Sequence, residues 1–230
     1  MGVELKCKKC RKPCIKRGLQ ANGKQRFYCK KCKLSQQRNY VSQAHNPQVN
    51  QDIIAFLKEG VGVRGISRLT GVTPKTVMRR ILEISRTISR PNPVFGKEYE
   101  MDELCTFIGN KNRRVCIAYA IERTTKQVVD FRVGGRSLRT LRGVINTLVL
   151  SQAQRIFTDK LGLYKTLIPK GIHSTKFRAT NHIERKNLTI RTHLKYLSRR
   201  TICFSRSLAM LVACLRIYFW GGNVEKEIVL

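Results

Sequence analysis

Four cysteines near the amino terminus constrain the fold of the first part of this chain more than any other feature. Cys7 and Cys10 form one Cys-x2-Cys pair, and Cys29 and Cys32 form a second pair after 18 intervening residues. Two such knuckles supply four thiolates, the ligand set that a structural zinc ion prefers. A segment this short and polar buries too little apolar surface to fold without a metal. The spacing predicts a zinc ribbon over residues 1–36, with one structural Zn²⁺.

Other interpretations of these cysteines are an iron site or unligated thiols. Cys14 is a spare that could replace Cys7 or Cys10 as a ligand. Six cations and two aromatic residues lie between the knuckles, so the ribbon could lie against DNA; a structural or protein-binding ribbon is the alternative. The basic residues are Arg11, Lys12, Lys16, Arg17, Lys24 and Arg26.

The charge of the whole chain indicates a polyanionic partner. Forty-six Lys and Arg against 14 Asp and Glu give a net charge of +32 over 230 residues, and nucleic acid is the favoured partner. A membrane surface is the weaker alternative, because the longest apolar run, 208–215, is far shorter than the roughly 20 residues of a membrane span. No apolar signal core is present at the amino terminus, so a cytoplasmic, nucleoid-associated protein is expected, with metal-bound or buried cysteines instead of disulfides.

After a polar linker over 37–49, residues 50–90 show the pattern of a helix-turn-helix domain. Apolar residues at helical spacing predict two helices, and Gly71 marks the turn before a third. Thr73 is suited to cap that third helix, with Pro74 at its first position. The helix would present four side chains to DNA, unless the unit serves only helix packing or dimerisation. They are Lys75, Thr76, Arg79 and Arg80.

A proline-containing linker over 91–96 precedes an α/β domain predicted for 97–230. Three extended segments, 99–108, 115–121 and 127–133, are separated by short polar loops that suit antiparallel hairpins. Ser137 is suited to cap a following helix, and a short buried strand over 155–158 ends at Asp159. This order favours a mixed sheet in which the fourth strand runs parallel beside the first, with flanking helices.

The basic stretch Thr180–Ser207 contains a single acidic residue, Glu184. If the stretch is helical, Glu184 shares a face with Arg191 and Lys195, because three- and four-residue steps stack along a helix. Arg185, Arg191 and Lys195 are candidates to hold a phosphate backbone. A surface helix with a simple ion pair is the ordinary alternative.

Asp102 on the first strand and Asp159 after the fourth are predicted to face each other, and Glu184 could complete a cluster of three carboxylates. Such a cluster needs cations to offset the repulsion, and two Mg²⁺ or Mn²⁺ ions would cleave or transfer a phosphodiester. Each acid taken alone also has a structural interpretation: Asp102 could cap a turn and Asp159 could end a strand. Glu98, Glu100 and Glu103 compete with Asp102 for the first position.

The run HIERKNLTIRTHLKYLSRRTICFSRS, with MDE near residue 102 and FTD near residue 159, resembles the transposases of the insertion sequence 1 family. The resemblance covers essentially the whole chain and implies a zinc finger, a helix-turn-helix domain and a ribonuclease-H-like catalytic domain. It matches Asp102, Asp159 and Glu184 to a DDE triad, and it matches Arg191 to the basic residue that DDE recombinases place two turns beyond their glutamate. His182, Asn187 and His193 lie in the same run, with a role in local support or DNA contact.

The resemblance implies cleavage at the ends of a mobile element, followed by attack of the freed 3′-hydroxyls on target DNA. It also implies recognition of terminal inverted repeats in double-stranded DNA and a homo-oligomer that pairs two ends. Two other classes of protein stay open at the level of sequence. They are a non-catalytic DNA-binding regulator or domesticated transposase, and an RNA-processing nuclease.

Overall fold

The computed structural model describes residues 5–21, 23–39, 43–176, 178–198, 200–201 and 203–222. The chain forms two compact units, Met1–Pro47 and Gln48–Leu230. Each unit has a buried core of its own.

The first unit is a small antiparallel sheet built around cysteine side chains. Its strands are β1 (Ile15–Leu19), β2 (Gln25–Cys29) and β3 (Leu34–Gln36), in that order. Cys7, Cys14, Phe27 and Cys29 form its buried core. A core of this size contributes little hydrophobic stabilisation, so the stability of the unit depends on what joins the cysteines.

The second unit begins with three helices whose ends follow the local sequence. They are α1 (Gln48–Lys58), α2 (Val63–Thr70) and α3 (Pro74–Thr87). The chain turns between α2 and α3 at Gly71, whose φ of 68° suits glycine. The predicted cap of α3 is confirmed, because the Thr73 hydroxyl accepts a 3.3 Å hydrogen bond from the Thr76 amide and Pro74 occupies the first turn.

Helices α1 and α3 pack against α7 (Leu208–Trp220), the last helix among the described residues, and α2 packs on α1 and α3. That helix buries much of its surface, including Leu211, Leu215 and Ile217. Arg216 also donates a 2.6 Å hydrogen bond to the Ile88 carbonyl oxygen just beyond α3. Helix α7 is apolar on more than one side, so it needs packing partners on each of these sides. Helices α1 and α3 are two of these partners and belong to the same compact unit as the sheet.

The centre of the second unit is a mixed five-stranded sheet in the order β6-β5-β4-β7-β8. The strands are β4 (Glu98–Ile108), β5 (Asn110–Glu122), β6 (Val128–Gly134), β7 (Arg155–Phe157) and β8 (His173–Ser174). The first three form an antiparallel meander, and β7 runs parallel to β4 on its other side. The prediction that the fourth strand lies parallel beside the first is therefore confirmed.

Helices cover both faces of this sheet. They are α4 (Leu138–Leu150), α5 (Gly162–Leu167) and α6 (Asn181–His193). Leu141 and Val144 of α4 pack on Tyr99 and Met101 of β4. Since alternate residues of a strand point to opposite faces, the even-numbered residues of β4 face α6 instead. Asp102 and Glu100 are therefore on the α6 side of the sheet.

Two features of the β4–β5 hairpin differ from the sequence expectation. Strand β5 begins at Asn110 and not at Val115, because Asn110 pairs with Ile108 and Arg114 pairs with Phe107 across a shift in register, while the side chains of residues 110–114 stay exposed. Cys105 and Cys116 form a disulfide, whereas only metal-bound or buried thiols were expected. The register explains the pair, since it places these two cysteines directly opposite each other.

No helix among the described residues is long and apolar enough to cross a membrane. The apolar helix α7 has 13 residues, against the roughly 20 that a span requires.

Candidate active site and metal-binding centres

Two of the predicted acids meet at the edge of the central sheet. Glu100 pairs with Phe157 where β4 and β7 run parallel, so continuing both strands by two residues brings Asp102 beside Asp159. Asp102, Glu103 and Asp159 each offer a carboxylate oxygen, and these oxygens lie within 4.8 Å of one another. Glu103, one of the acids that competed with Asp102 at the level of sequence, is thus part of the cluster.

Glu184 stands outside that cluster but lines the same cleft. It lies exposed in the first turn of α6, where its Oε1 accepts a 2.8 Å hydrogen bond from the Thr180 hydroxyl. The cleft has a volume of about 980 Å³, and Glu184, Asp102 and Glu103 contribute to its lining. The structure therefore brings Asp102 and Asp159 together and places the third predicted acid on the wall of the cleft.

Asp102 is held in a half-buried position by two hydrogen bonds. Asn187 Nδ2 donates to its Oδ2 at 2.6 Å, and the Glu103 amide donates to its Oδ1 at 2.7 Å. The pKa of Asp102 is raised from 3.8 to about 6, chiefly by burial and to a smaller extent by the charges of Glu103 and Asp159, while the two hydrogen bonds act in the opposite direction. A carboxylate in this position is stabilised by a bound cation.

Tyr119 fixes the side chain that holds Asp102. It is the direct partner of Asp102 on β5, and its hydroxyl donates a 2.6 Å hydrogen bond to Asn187 Oδ1. With Oδ1 occupied in this way, the amide nitrogen of Asn187 faces Asp102. Desolvation raises the pKa of Tyr119 well above its usual value, so the ring keeps its proton and stays a donor.

Glu100 anchors α6 to the sheet, a role that the sequence analysis missed. Its buried carboxylate accepts a 2.9 Å hydrogen bond from the Ile183 amide, and His182 Nδ1 lies 2.5 Å from its Oε1. Thr180 at the N-cap gives no side-chain cap, so Glu100 takes that function from the neighbouring strand. The available signal was a charged residue two positions before Asp102, on the same face of an otherwise apolar strand.

Glu103 is held by partners of its own. The Tyr164 hydroxyl donates to its Oε1 at 2.8 Å, and Arg136 donates to its Oε2 at 3.3 Å. Desolvation, followed by the nearby charge of Glu103, raises the pKa of Tyr164. Glu103 therefore contributes negative charge to the cluster while both of its oxygens are engaged.

A sequence model of the IS1 transposase family matches residues 98–219, more than half of the chain and all of this site. The chain belongs to the IS1 transposase family. It is 38% identical over 109 residues to the insertion element iso-IS1n protein InsB of Shigella dysenteriae, covering 47% of this chain and 83% of that protein. It is 34% identical over 111 residues to the insertion element IS1 protein InsB of Shigella flexneri, covering 48% of this chain and 85% of that protein.

A solved structure with some likeness is the cryo-EM structure of the simian T-cell lymphotropic virus intasome in complex with PP2A regulatory subunit B56 gamma. Its TM-score is 0.37 at 16% sequence identity, and the match covers 71% of this chain and 66% of that chain.

The cations predicted to bind DNA occupy different environments in this member of the IS1 family. Lys75 is exposed near the start of α3, beside the half-buried Thr76, and Arg79 is exposed but pairs with Glu83 at 2.8 Å. Arg80 instead donates a 3.0 Å hydrogen bond to Asn50 and ties α3 to α1.

On α6 and just after it, the predicted cations lie around the acidic cleft. Arg185 is exposed, while Arg191 and Lys195 line the cleft together with Asp102 and Glu184. The IS1 family member therefore has positive side chains in the same cleft as its carboxylates.

The four predicted zinc ligands of the IS1 family member converge in the first unit. The Sγ atoms of Cys7, Cys10, Cys29 and Cys32 all lie within 4.8 Å of one another. Backbone amides of Cys10 and Lys9 lower the pKa of the Cys7 thiol to about 6, which favours the thiolate that binds metal. These donors fit a tetrahedral Zn²⁺, whose Zn–S bonds of about 2.3 Å place sulfurs about 3.8 Å apart.

The spare cysteine, Cys14, is buried in the same small core but is not one of these four. Its thiol lies 4.0 Å from the Lys12 carbonyl oxygen. Burial, followed by the nearby sulfurs of Cys29 and Cys7, raises the pKa of Cys14, so it stays a thiol.

Proposed function

We propose that this IS1 family member is a DNA strand transferase. It would cut the ends of its mobile element and join the freed 3′-hydroxyls to target DNA, with Asp102, Asp159 and Glu184 as the catalytic acids. One observation carries the proposal: Asp102 converges with Asp159 at the edge of a mixed sheet and also lines a cleft with Glu184, Arg191 and Lys195.

Asp102 and Asp159 are suited to hold divalent metal, and Glu184 would complete the ligand set for two Mg²⁺ or Mn²⁺ ions. The test of fit is the donor chemistry: carboxylate oxygens within 4.8 Å of one another are hard ligands at a distance that one ion can bridge. The burial that raises the pKa of Asp102 is a cost that a cation would offset. When bound, such ions activate the attacking oxygen and stabilise the leaving one.

The chain's own residues would position the DNA and the acids. Arg191 and Lys195 would bind phosphate oxygens on the cleft wall. Asn187 would keep Asp102 aimed at the reacting phosphate, and Glu100 would keep α6 at the distance from β4 that the chemistry needs. Glu184 would have to move toward the Asp102–Asp159 pair, which its exposed position at the start of α6 permits.

The secondary structure and the cysteine cluster support three domains in this chain. The meander with a parallel fourth strand supports a ribonuclease-H-like domain over 97–230. The cysteine cluster supports a zinc ribbon over 1–36, and the α2–turn–α3 unit supports a helix-turn-helix domain over 50–90, joined by the segments 37–49 and 91–96. We propose that these two parts bind terminal inverted repeats, in a homo-oligomer at the nucleoid.

A second candidate is a DNA-binding regulator that kept the fold without the chemistry. The position of Glu184, outside the cluster of acids, favours it.

The test is cleavage of a labelled duplex that carries the element's own ends, with Mg²⁺ or Mn²⁺, by the intact chain and two variants. Glu184→Gln should lose at least about 100-fold in cleavage rate while keeping DNA affinity, because it removes one ligand and leaves the shape of the cleft intact. Glu98→Gln, on the same strand as Asp102, is the matched control and should cleave as the intact chain does. Equal cleavage by Glu184→Gln would remove Glu184 from the triad, and binding without cleavage by the intact chain would favour the regulator.

A further inference from the structure

The β4–β5 hairpin extends past the rest of the sheet as a two-stranded ribbon. Strand β6 ends at Gly134, whose partner is Cys116, and β7 pairs with β4 no further than Glu100. Beyond these points the two strands continue together, with Thr106 opposite Val115 and Phe107 opposite Arg114. Among the described strands, none accompanies the ribbon over residues 106–115, and Ser205 forms an isolated parallel bridge with Ile108.

Contacts at the base and at the turn fix this ribbon to the body of the second unit. Thr106 donates a 2.7 Å hydrogen bond to the Tyr196 carbonyl oxygen, and the Gly109 amide donates to the Ser205 carbonyl oxygen at 2.9 Å. The Cys105–Cys116 disulfide joins its two strands where they leave the sheet. The position of the tip is therefore determined by the fold.

The tip is strongly basic and exposed. Residues 110–114 read NKNRR, with Lys111, Arg113 and Arg114 as cations. In the part of the chain that the structure describes, no acidic side chain forms an ion pair with any of these three residues. Three unneutralised positive charges at the end of a rigid hairpin repel a second copy of the same surface and attract a polyanion.

Two of the cations, Lys111 and Arg113, lie beyond the end of the strand that carries Asp102. They belong to the part of β5 between Asn110, the partner of Ile108, and Arg114, the partner of Phe107, where the register with β4 shifts. Six residues of extended strand separate Asp102 from the end of β4, a distance of roughly 20 Å. That distance corresponds to about six base pairs of duplex DNA. Lys195 precedes Tyr196, on which Thr106 is anchored, so a basic track connects the cleft to the ribbon.

We propose that this ribbon binds the phosphate backbone of the DNA duplex about half a helical turn from the scissile phosphate. The inference rests on the proposed function, because that function places DNA at Asp102. A two-stranded ribbon also has the width to enter a major groove of B-form DNA, and Lys111 and Arg113 contact the phosphates at its edge. The ribbon thus fixes the direction in which the duplex leaves the cleft.

The experiment measures the affinity of the intact chain for a labelled element-end duplex between about 50 and 200 mM salt, without divalent metal. The ribbon variant is Lys111→Gln with Arg113→Gln. The matched control is Arg139→Gln with Arg142→Gln, which removes the same charge from exposed positions of α4 on the opposite face of the sheet. Circular dichroism and thermal unfolding establish that both variants fold.

Loss of two phosphate contacts should reduce the slope of log affinity against log salt by about 2 for the ribbon variant, with less than about 0.5 for the control. Lys111→Arg with Arg113→Lys should restore the slope. An equal change in both double variants, or no change in either, would overturn the inference. Equal losses for duplex DNA and for an RNA duplex of the same length would also overturn it, since they would indicate a general polyanion surface.

Cleavage measured on the same proteins separates this inference from the proposed function. The intact chain could bind the duplex without cleaving it, while only the ribbon variant shows the smaller salt slope. This result would support the ribbon contact and contradict the proposed strand-transfer activity.

Discussion

The side-chain amide of Asn187 donates a 2.6 Å hydrogen bond to the Asp102 carboxylate and accepts one from the Tyr119 hydroxyl. One helix residue therefore connects two neighbouring strands and sets the orientation of the proposed metal ligand. Partners of this kind, behind a metal ligand, commonly affect metal affinity by about 10- to 100-fold.

Asn187→Ala should weaken Mg²⁺-dependent cleavage by about 10- to 100-fold, because Asp102 loses its orienting donor. The deficit should be partly recovered at high Mg²⁺, since the ligand itself remains. Metal titrations of the cleavage rate would measure this. Thr189→Ala, an exposed change on the same helix, is the control, and an Asn187→Ala variant with an unchanged metal requirement would contradict the assigned role.

Glu100→Gln should destabilise the second unit by about 2 kcal/mol, because a buried acceptor loses the charge that holds the Ile183 amide, His182 and Arg123. Urea unfolding measures the change. Glu98→Gln is the control, since Glu98 pairs with the same Arg123 at 3.5 Å but is 40% exposed, and should change the unfolding free energy by less than about 0.5 kcal/mol. Similar effects of both substitutions would show that Glu100 does not anchor α6.

Asp102→Asn should stabilise the metal-free protein above about pH 6 by on the order of 2 kcal/mol while abolishing cleavage. The pKa of Asp102 is raised to about 6 in the folded chain, against 3.8 ordinarily. The folded state therefore binds more protons than the unfolded state between these values, and the free energy of unfolding falls as pH rises through this window.

Urea unfolding near pH 3 and pH 8 checks the sign, because the advantage of Asp102→Asn should disappear below the ordinary pKa. Added Mg²⁺ should stabilise the intact chain more than the variant. A variant that is less stable than the intact chain near pH 8 would rule out a destabilising charge at this position.

Cys29→Ser should abolish stoichiometric zinc binding, whereas Cys14→Ser should leave it intact. Both side chains are buried in the same core, but Cys29 alone of the two belongs to the four-thiolate cluster. Elemental analysis of the purified proteins counts the bound metal. Loss of zinc in both variants, or in Cys14→Ser alone, would show that the ligand set differs from the proposed one.

The elements that the sequence predicted well are those with a local cause. Thr73 and Pro74 start α3 where their capping chemistry requires, and Gly71 ends α2 in the left-handed conformation. The strand over 155–158 was recognised from its apolar run, and its parallel position followed from chain connectivity. The polar start of β5 could not be predicted, because its pairing depends on the backbone of β4 and leaves no hydrophobic pattern.

The sequence by itself determined the ligand types of both proposed metal centres, the order of helices and strands from α1 to β7, and membership of the IS1 family, since spacing, periodicity and motif are local properties of a chain. The tertiary structure decided which acids meet. Glu103 joins Asp102 and Asp159, Glu100 becomes the anchor of α6, and Glu184 stays on the cleft wall. These outcomes depend on strand register and on how a helix docks across a sheet, and both are set by packing between residues distant in sequence.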